Sequence, residues 1–396
     1  MIISKFLYQL IDKPISGEWG TEGGTVNVIR TANFTNQGII DFSKVVTRNI
    51  EDKKIITKKL QEHDIIIEKS GGSPDQPVGR VVYFDKKGLF LCNNFTSILR
   101  PKQELIFPKY LHYILFGNHK FGFVKQFQNK TTGIINLQLP RYIKETKIPT
   151  PSLEEQKKIA DILDAADSLR QKDKQLVEHY DRLSQSLFLD MFGDPVANPK
   201  GWPELCLDEM VDFITSGSRG WAKYYSDMGD IFIRIQNVGK NELMLNDLTY
   251  VDAPDNAESK RTAVQAGDIL LSITADLGRT AVIPSEFPKA HINQHLAIIR
   301  LKSGYNPYYI SEFIASEGGK RQFIKLDKGG VKAGLNFTDI KSLKLLNPPL
   351  NIQNQYLKIV KEIKNQKLLA QQALKKSEDL FNSLLQQAFK GELTNS

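Results

Sequence analysis

Short motifs in the first half of this 396-residue chain recur in the same order roughly 200 residues later, and a repeat at such a period constrains the fold more than any single segment does. Val26-Asn27-Val28-Ile29-Arg30 answers Ile231-Phe232-Ile233-Arg234, and His63-Asp64-Ile65-Ile66-Ile67 answers Gly267-Asp268-Ile269-Leu270-Leu271. Gly79-Arg80 faces Gly278-Arg279, and the run Asn93 to Arg100 matches Asn293 to Arg300. Pro108-Lys109-Tyr110-Leu111 then matches Pro307-Tyr308-Tyr309-Ile310, and Ile148 to Gln156 matches Leu345 to Gln353. Order and spacing are kept throughout, so the chain is one unit said twice.

Within each copy the first part reads as short strands with turns. In copy one these are Val26–Ile29, Ile65–Ile67, Val81–Phe84, Leu89–Leu91 and Ser97–Leu99, punctuated by Gly71-Gly72 and Lys87-Gly88. Copy two gives Ile231–Ile235, Ile269–Thr274, Thr280–Ile283 and Leu296–Leu301. A helix is expected after each of Pro108 and Pro307. The fold class is therefore α+β, with two β-rich globular domains.

A proline step then introduces a different pattern. From Leu153 to about Phe192 there is no Pro or Gly, and apolar residues fall at Ile159, Ile162, Ala166, Leu169, Leu176, Tyr180, Leu183 and Leu187. That 3-4 alternation marks a helix seated against another helix. Ser152 with Glu155 forms a capping box, and Gly193-Asp194-Pro195 is a stop signal. Copy two repeats the stripe at Tyr356, Ile359, Ile363, Ala370, Ala373, Leu380 and Leu384, weakened by Gln366 and Ser377 and ended by Gly391. A long helix with one apolar stripe needs a partner, and the nearest is its own repeat. Two long helices pairing as an antiparallel coiled coil would give a pseudo-two-fold caliper, with boundaries at 1–150, 151–195, 196–348 and 349–396. Such symmetry suits a reader of two half-sites.

Charge points the same way. There are 53 Lys and Arg against 45 Asp and Glu, a net charge of +8, which suits a polyanionic partner without requiring one. Cys92 and Cys206 are the only cysteines, too few for a disulfide framework and compatible with a reducing cytoplasm. No apolar run approaches the roughly 20 residues that span a bilayer, so no membrane role is expected and the cytoplasm is the expected location.

The sequence resembles the specificity subunits of type I restriction-modification systems. The resemblance rests on Pro149-Thr150-Pro151 with Leu153-Glu154-Glu155-Gln156-Lys157-Lys158-Ile159-Ala160, on Gly267-Asp268-Ile269-Leu270-Leu271, and on Met191-Phe192-Gly193-Asp194-Pro195 followed by Asn198-Pro199-Lys200-Gly201-Trp202. It implies two target-recognition domains, each reading one half of a bipartite double-stranded DNA target. The spacer helices would set the gap and dock two methyltransferase subunits, with two restriction/translocase subunits as optional further partners. Two departures stand out: the first copy begins at Met1 without a lead-in like Gly201-Trp202-Pro203-Glu204-Leu205, and the second proline step carries Asn351-Ile352-Gln353. Either could make the two docking sites unequal.

Catalytic motifs resolve into structural readings. Asn347-Pro348-Pro349-Leu350 resembles an adenine-methyltransferase motif but lacks the stacking aromatic and a glycine-rich cofactor loop. Asp255, Glu258 and Lys260 sit too close together for a nuclease site, and His291 and His295 read as one strand, where that spacing does not converge on a metal. No G-x-x-x-x-G-K-[ST] occurs. No cofactor, metal or catalytic residue is expected, and the chain is read as a non-catalytic subunit. A coiled-coil scaffold joining two ligand-binding domains, with no role in DNA, is the alternative.

Base-reading side chains should lie on polar loops that differ between copies. In copy one the candidates are Ser70, Ser73 and Arg80, with Lys125, Gln128, Asn129, Lys130 and Thr131 in a loop rich in amides, hydroxyls and lysines. In copy two they are Ser218, Arg219, Thr274, Arg279, Lys328 and Lys332. Arg219, Gln128 and Asn129 are singled out for base contacts, because Arg pairs bidentately with guanine and Gln or Asn with adenine. Arg80 and Arg279 recur at matched positions, which also fits a shared fold role. On the long helices, Lys157, Lys158, Lys172, Lys174, Lys361, Lys364 and Lys367 read as a solvated face or as phosphate contacts, with solvation favoured.

Overall fold

The computed structural model describes residues 3–73, 76–131, 134–274, 276–326 and 334–393, with residues 130 and 131 described by their backbone alone. The chain divides into two compact units: residues 1–175 with 370–396, and residues 176–369. Each long helix contributes one part to each unit.

In the first unit, strands Ile15–Ser16, Thr96–Leu99, Ile65–Glu68 and Val81–Tyr83 lie side by side in that order, every pair antiparallel. The apolar residues of the two central strands, Thr96–Leu99 and Ile65–Glu68, are buried on both faces, which explains why Ile65-Ile66-Ile67 reads as a continuous hydrophobic run rather than an alternating one. A second sheet orders Val46–Asn49, Thr21–Ile29 and Phe90–Cys92, the last pair parallel. The helix Pro108–Lys120 starts on its proline as expected.

The second unit repeats this topology. Val211–Ser216, Leu296–Leu301, Ile269–Ser272 and Thr280–Val282 form the equivalent four-stranded sheet in the equivalent order. Asp230–Ile233 pairs in parallel with Ala290–Ile292, as Thr21–Ile29 does with Phe90–Cys92. The matched start of copy one is also present: Ser4–Phe6 pairs with Lys147–Pro149, as Glu204–Cys206 pairs with Lys344–Leu346.

The first long helix runs Leu153–Phe192 and the second Leu350–Lys390. At 40 residues and 1.5 Å per residue the first is roughly 60 Å long. Its capping box is made: Glu155 Oε2 accepts from Ser152 N at 3.0 Å and Glu155 N donates to Ser152 Oγ at 3.3 Å. Gly193 and Gly391 follow the two helices in the left-handed conformation, at φ 81° and 74°.

The helices pair inside each unit. In the first, the Arg170 guanidinium lies 4.5 Å from the Phe381 ring centroid, and Ile159, Leu163 and Ala166 share a core with Phe381, Leu385 and Ala388. In the second, Asp181 accepts from Lys367 at 2.6 Å while Phe188 and Phe192 meet Tyr356. Residue numbers rise along one helix as they fall along the other, so the pair is antiparallel.

The seam corrects the expected stripe by one column. Ile159 and Ala166 are buried, but Ile162, Leu169, Leu176 and Leu183 are 43, 46, 41 and 39 % exposed. The second buried column is the one a residue further on, containing Leu163 and Arg170. Arg170 hides that column in the sequence because a charge reads as surface. Here it pairs with Asp167 and stacks on Phe381, which satisfies it in the seam. The second helix shifts likewise: Val360 and Phe381 are buried where Ile359 and Leu380 were expected.

Candidate nucleic-acid interface

In each copy the frame around the polar loops is built by the same atoms. Asn33 Oδ1 accepts from Arg30 N at 2.8 Å, and Asn237 Oδ1 from Arg234 N at 3.0 Å. Tyr110 Oη donates to Pro149 O at 2.9 Å, and Tyr309 Oη to Leu346 O at 3.0 Å. The two tyrosine bonds tie the helices after Pro108 and Pro307 to the proline steps that start the long helices.

A tight loop recurs on this frame. A Cβ on Gly17 would stand 2.1 Å from the Asn93 carbonyl oxygen, and one on Gly217 would stand 2.2 Å from that of Asn293. Only glycine permits so close a backbone approach. Beyond it the copies diverge. Glu18 accepts from Lys58 at 2.8 Å and Lys54 at 3.4 Å, and the bond from Lys58 above all holds its carboxyl below the usual range. At the matching place Arg261 donates to Ser218 Oγ at 2.7 Å, to Ser216 O at 2.6 Å and to Thr215 Oγ1. In both copies a cation from the short helix before the next strand holds the loop. Trp19 packs under Arg48, 3.9 Å from its ring centroid. In copy two the loop tip carries exposed Arg219, while Trp221 is buried against Phe232 and His291.

The structure gathers the copy-one candidates into two places. Ser70–Gly72 is a strand, and Gln128–Thr131 forms a hairpin with Ile134–Leu137 that pairs onto it. The segment 125–133 was expected to be a loop, so its described part is more ordered than its composition suggests. Ser70 Oγ bonds Asn136 Oδ1 at 2.5 Å, Ser73 Oγ accepts from Gln76 N at 3.1 Å, and Gln128 donates its amide to Val78 O at 2.9 Å. Asn129 is exposed, and Lys130 and Thr131 occupy the strand. Arg80 and Lys125 both line a cleft of about 400 Å³ together with His119 and Lys120. Burial holds the Lys120 ammonium and the His119 imidazolium below their usual ranges. Arg80 forks onto Glu68, Nε and Nη2 each at 2.9 Å, and also donates to Thr31 O and Phe34 O.

In copy two, Thr274 Oγ1 contacts His295 Nδ1 at 2.6 Å, and Ser218 bridges Asn293. Arg279 pairs with Asp276 at 2.5 Å, so the matched arginines hold different local carboxylates. Lys328 and Lys332 lie outside the described residues. His291 and His295 do not share one strand as expected: a turn separates Ala290–Ile292 from Leu296–Leu301. His291 is held by Asp230 at 3.2 Å, and burial keeps it below the usual histidine range. Lys260 pairs with Asp255, and Glu258 lies on the short helix Ala257–Thr262. Lys158 and Lys367 are likewise paired, with Glu154 and Asp181.

Sequence reasoning missed Arg261, Lys69 and the turn at Asn94-Phe95. Lys69 donates to Ser16 Oγ at 2.5 Å, and burial lowers the affinity of its amine for a proton. A cation recurring beside Gly17 and Gly217 was the available signal, but it comes from positions that do not align as letters. No helix among the described residues is long and apolar enough to cross a membrane.

A model of the type I restriction modification DNA specificity domain matches residues 15–179 and again residues 199–377. The specificity subunit of type I restriction enzyme EcoBI from Escherichia coli is 22 % identical, over 64 % of this chain and 60 % of its own length. That of StySPI from Salmonella potsdam is 26 % identical over 93 % of this chain and 82 % of its own. The chain thus spans less than two thirds of the EcoBI subunit and more of the StySPI one. In fold it is similar to the type I S subunit crystal structure from M. genitalium, with a TM-score of 0.59 and 17 % identity, covering 98 % of this chain and 96 % of that one. A chain from a study of the assembly and conformational transition of a type I R-M system gives the same score and identity over 99 and 98 %. With the domain model covering both copies of the repeat, the chain belongs to the type I restriction-modification DNA specificity family, as a specificity subunit carrying the domain twice.

Proposed function

We propose that residues 1–150 and 196–348 are target-recognition domains that each read one half of a bipartite DNA sequence, and that 151–195 and 349–396 are spacers. The observation that carries this reading is a frame matched atom for atom, with loops of different chemistry set on it: Glu18 with two lysines in one copy, Ser218 and Arg219 with Arg261 in the other. Equal frames suit equivalent placement on a duplex, and unequal loops suit two different half-sites. Arg219 and Asn129, both exposed, are the strongest base-contacting candidates among the residues named from sequence. Ser70, Ser73, Arg80, Gln128, Ser218, Thr274 and Arg279 have polar atoms held within the fold and are assigned to positioning, which moves Gln128 from the base-contact role expected of it, and Lys125, Lys130, Thr131, Lys328 and Lys332 are assigned to phosphate contacts.

The spacers set the gap between half-sites and offer docking faces to two methyltransferase subunits, with restriction/translocase subunits joining when the complex cuts. Catalysis belongs to those partners, and the complex works in the cytoplasm. The exposed column Ile162, Leu169, Leu176 and Leu183 supports a docking role, because apolar side chains spaced by heptads and left outside one seam suit another helix.

Selection of binding sequences from a random duplex pool, with the chain assembled on its methyltransferase subunit, tests the reading. Two short conserved blocks separated by a fixed, unconserved gap are expected. Binding that is insensitive to sequence and salt would instead leave a scaffold.

A further inference from the structure

The run Asn93 to Arg100 matches Asn293 to Arg300 and behaves as frame on both flanks, yet its tip does not. Thr96 N and Leu296 N donate back to Asn93 O and Asn293 O at 3.0 and 3.1 Å, so both copies make the same turn. At its tip copy one places Asn94 and Phe95, and copy two Gln294 and His295. Both turns abut the tight glycine loops, Gly17 against Asn93 and Gly217 against Asn293.

The tip of copy one is chemically idle within the fold. Phe95 is 46 % exposed and belongs to none of the buried clusters among the described residues. Asn94 is exposed and has no bond through its amide among the described residues. Below them, Asn93 is 5 % exposed and its Oδ1 has no donor, whereas in copy two Asn293 Oδ1 accepts from His295 N at 3.2 Å. Beside the tip, Lys69 N donates to Phe95 O at 2.9 Å, and the Lys69 ammonium has no carboxylate partner among the described residues. In copy two Ile273 takes that backbone role, and His295 is instead oriented by Thr274 and Gln294.

Resting on the DNA-reading function, we infer that these turns are specificity determinants: Asn94 and Phe95 contact base edges of one half-site, Gln294 and His295 those of the other, and Lys69 contacts a phosphate beside the first. An exposed amide pairs with adenine and an exposed phenyl ring packs against a thymine methyl, while a lone cation sets the register. A loop packed by glycine against the sheet end holds each tip in place, which a mobile loop would not.

The test uses the complete chain with its methyltransferase subunit in cells, reading the methylated sequence genome-wide. Asn94→Gln/Phe95→His installs the second copy's pair in the first, and Gln294→Ala/His295→Ala truncates the second. The first variant is expected to change base preference in one half-site and the second in the other half, each leaving the gap unchanged. If both variants methylate the wild-type sequence with wild-type preference, the turns are frame and the inference falls. A wild-type chain that yields no bipartite sequence removes the DNA-reading function itself, which is a separate failure. If the double variant does not fold, judged by its thermal midpoint, Asn94→Ala takes its place: a relaxed half-site supports the inference and an unchanged one overturns it.

Discussion

Arg100 meets Asp64 as a fork on a fork: Nε and Nη2 each donate at 2.8 Å, to different oxygens of a carboxylate that is 1 % exposed. The second copy repeats this, with Arg300 donating to Asp268 at 2.7 and 2.8 Å. Each carboxylate also accepts a backbone N–H at 2.7 Å, from Gln61 and Gln265. The pair therefore fixes a turn, the start of one central strand and the end of its neighbour at once.

Removing one partner should be severe. Asp64→Ala leaves a largely covered guanidinium unpaired and the Gln61 N–H without its acceptor, which costs about 3–5 kcal/mol by analogy with other broken buried pairs. Urea unfolding checks this, and Asp268→Ala should destabilise the second unit comparably.

The tight loops give a steric prediction. Gly217→Ala drives a methyl group to 2.2 Å from backbone oxygen that cannot give way. A loss of about 1–3 kcal/mol is expected from overpacking, with one half-site weakened and the other retained in a DNA-binding assay.

The corrected seam separates two neighbouring residues. Leu163→Ala, at a fully buried position, should cost about 2–5 kcal/mol. Leu169→Lys, at an exposed one, should stay within about 0.5 kcal/mol of the wild type. Equal losses in thermal or urea unfolding would restore the stripe expected from the sequence.

His112 makes stability depend on pH. Burial among Tyr83, Tyr113 and Phe116 pushes its pKa down to about 4, outweighing the attraction of Asp164, and Lys109 acts in the same direction as burial. The unfolded chain, with an ordinary histidine, takes up a proton below about 6.5 while the folded unit does not. Stability is therefore complete above that pH and falls as the pH drops toward 4, by about 2 kcal/mol between pH 7 and 5. Urea midpoints at the two pH values should show this difference, and His112→Phe should reduce it.

Much of the frame was legible because it occurs twice: the succession of core strands along the chain, the two long helices and their glycine stops follow from matched letters, while Ser152 with Glu155 marks the start of the first helix alone. The failures have physical causes. Arg170 concealed a seam column because its charge is satisfied by Asp167 and Phe381, partners that a stripe of apolar letters does not show. The hairpin at Gln128–Leu137 was read as a loop because its stability lies in backbone pairing with Ser70–Gly72. Asn94 and Phe95 read as frame because their flanks match, and their exposure and unused polar groups, which letters do not show, set the tip apart.

Two unlike recognition surfaces on one repeated frame are proposed to read two halves of one DNA site. Sequencing the methylated bases of cells that express the chain with its methyltransferase subunit tests this most directly. One motif of two defined blocks with a constant undefined gap is expected. A single contiguous motif, or methylation without sequence preference, would contradict it.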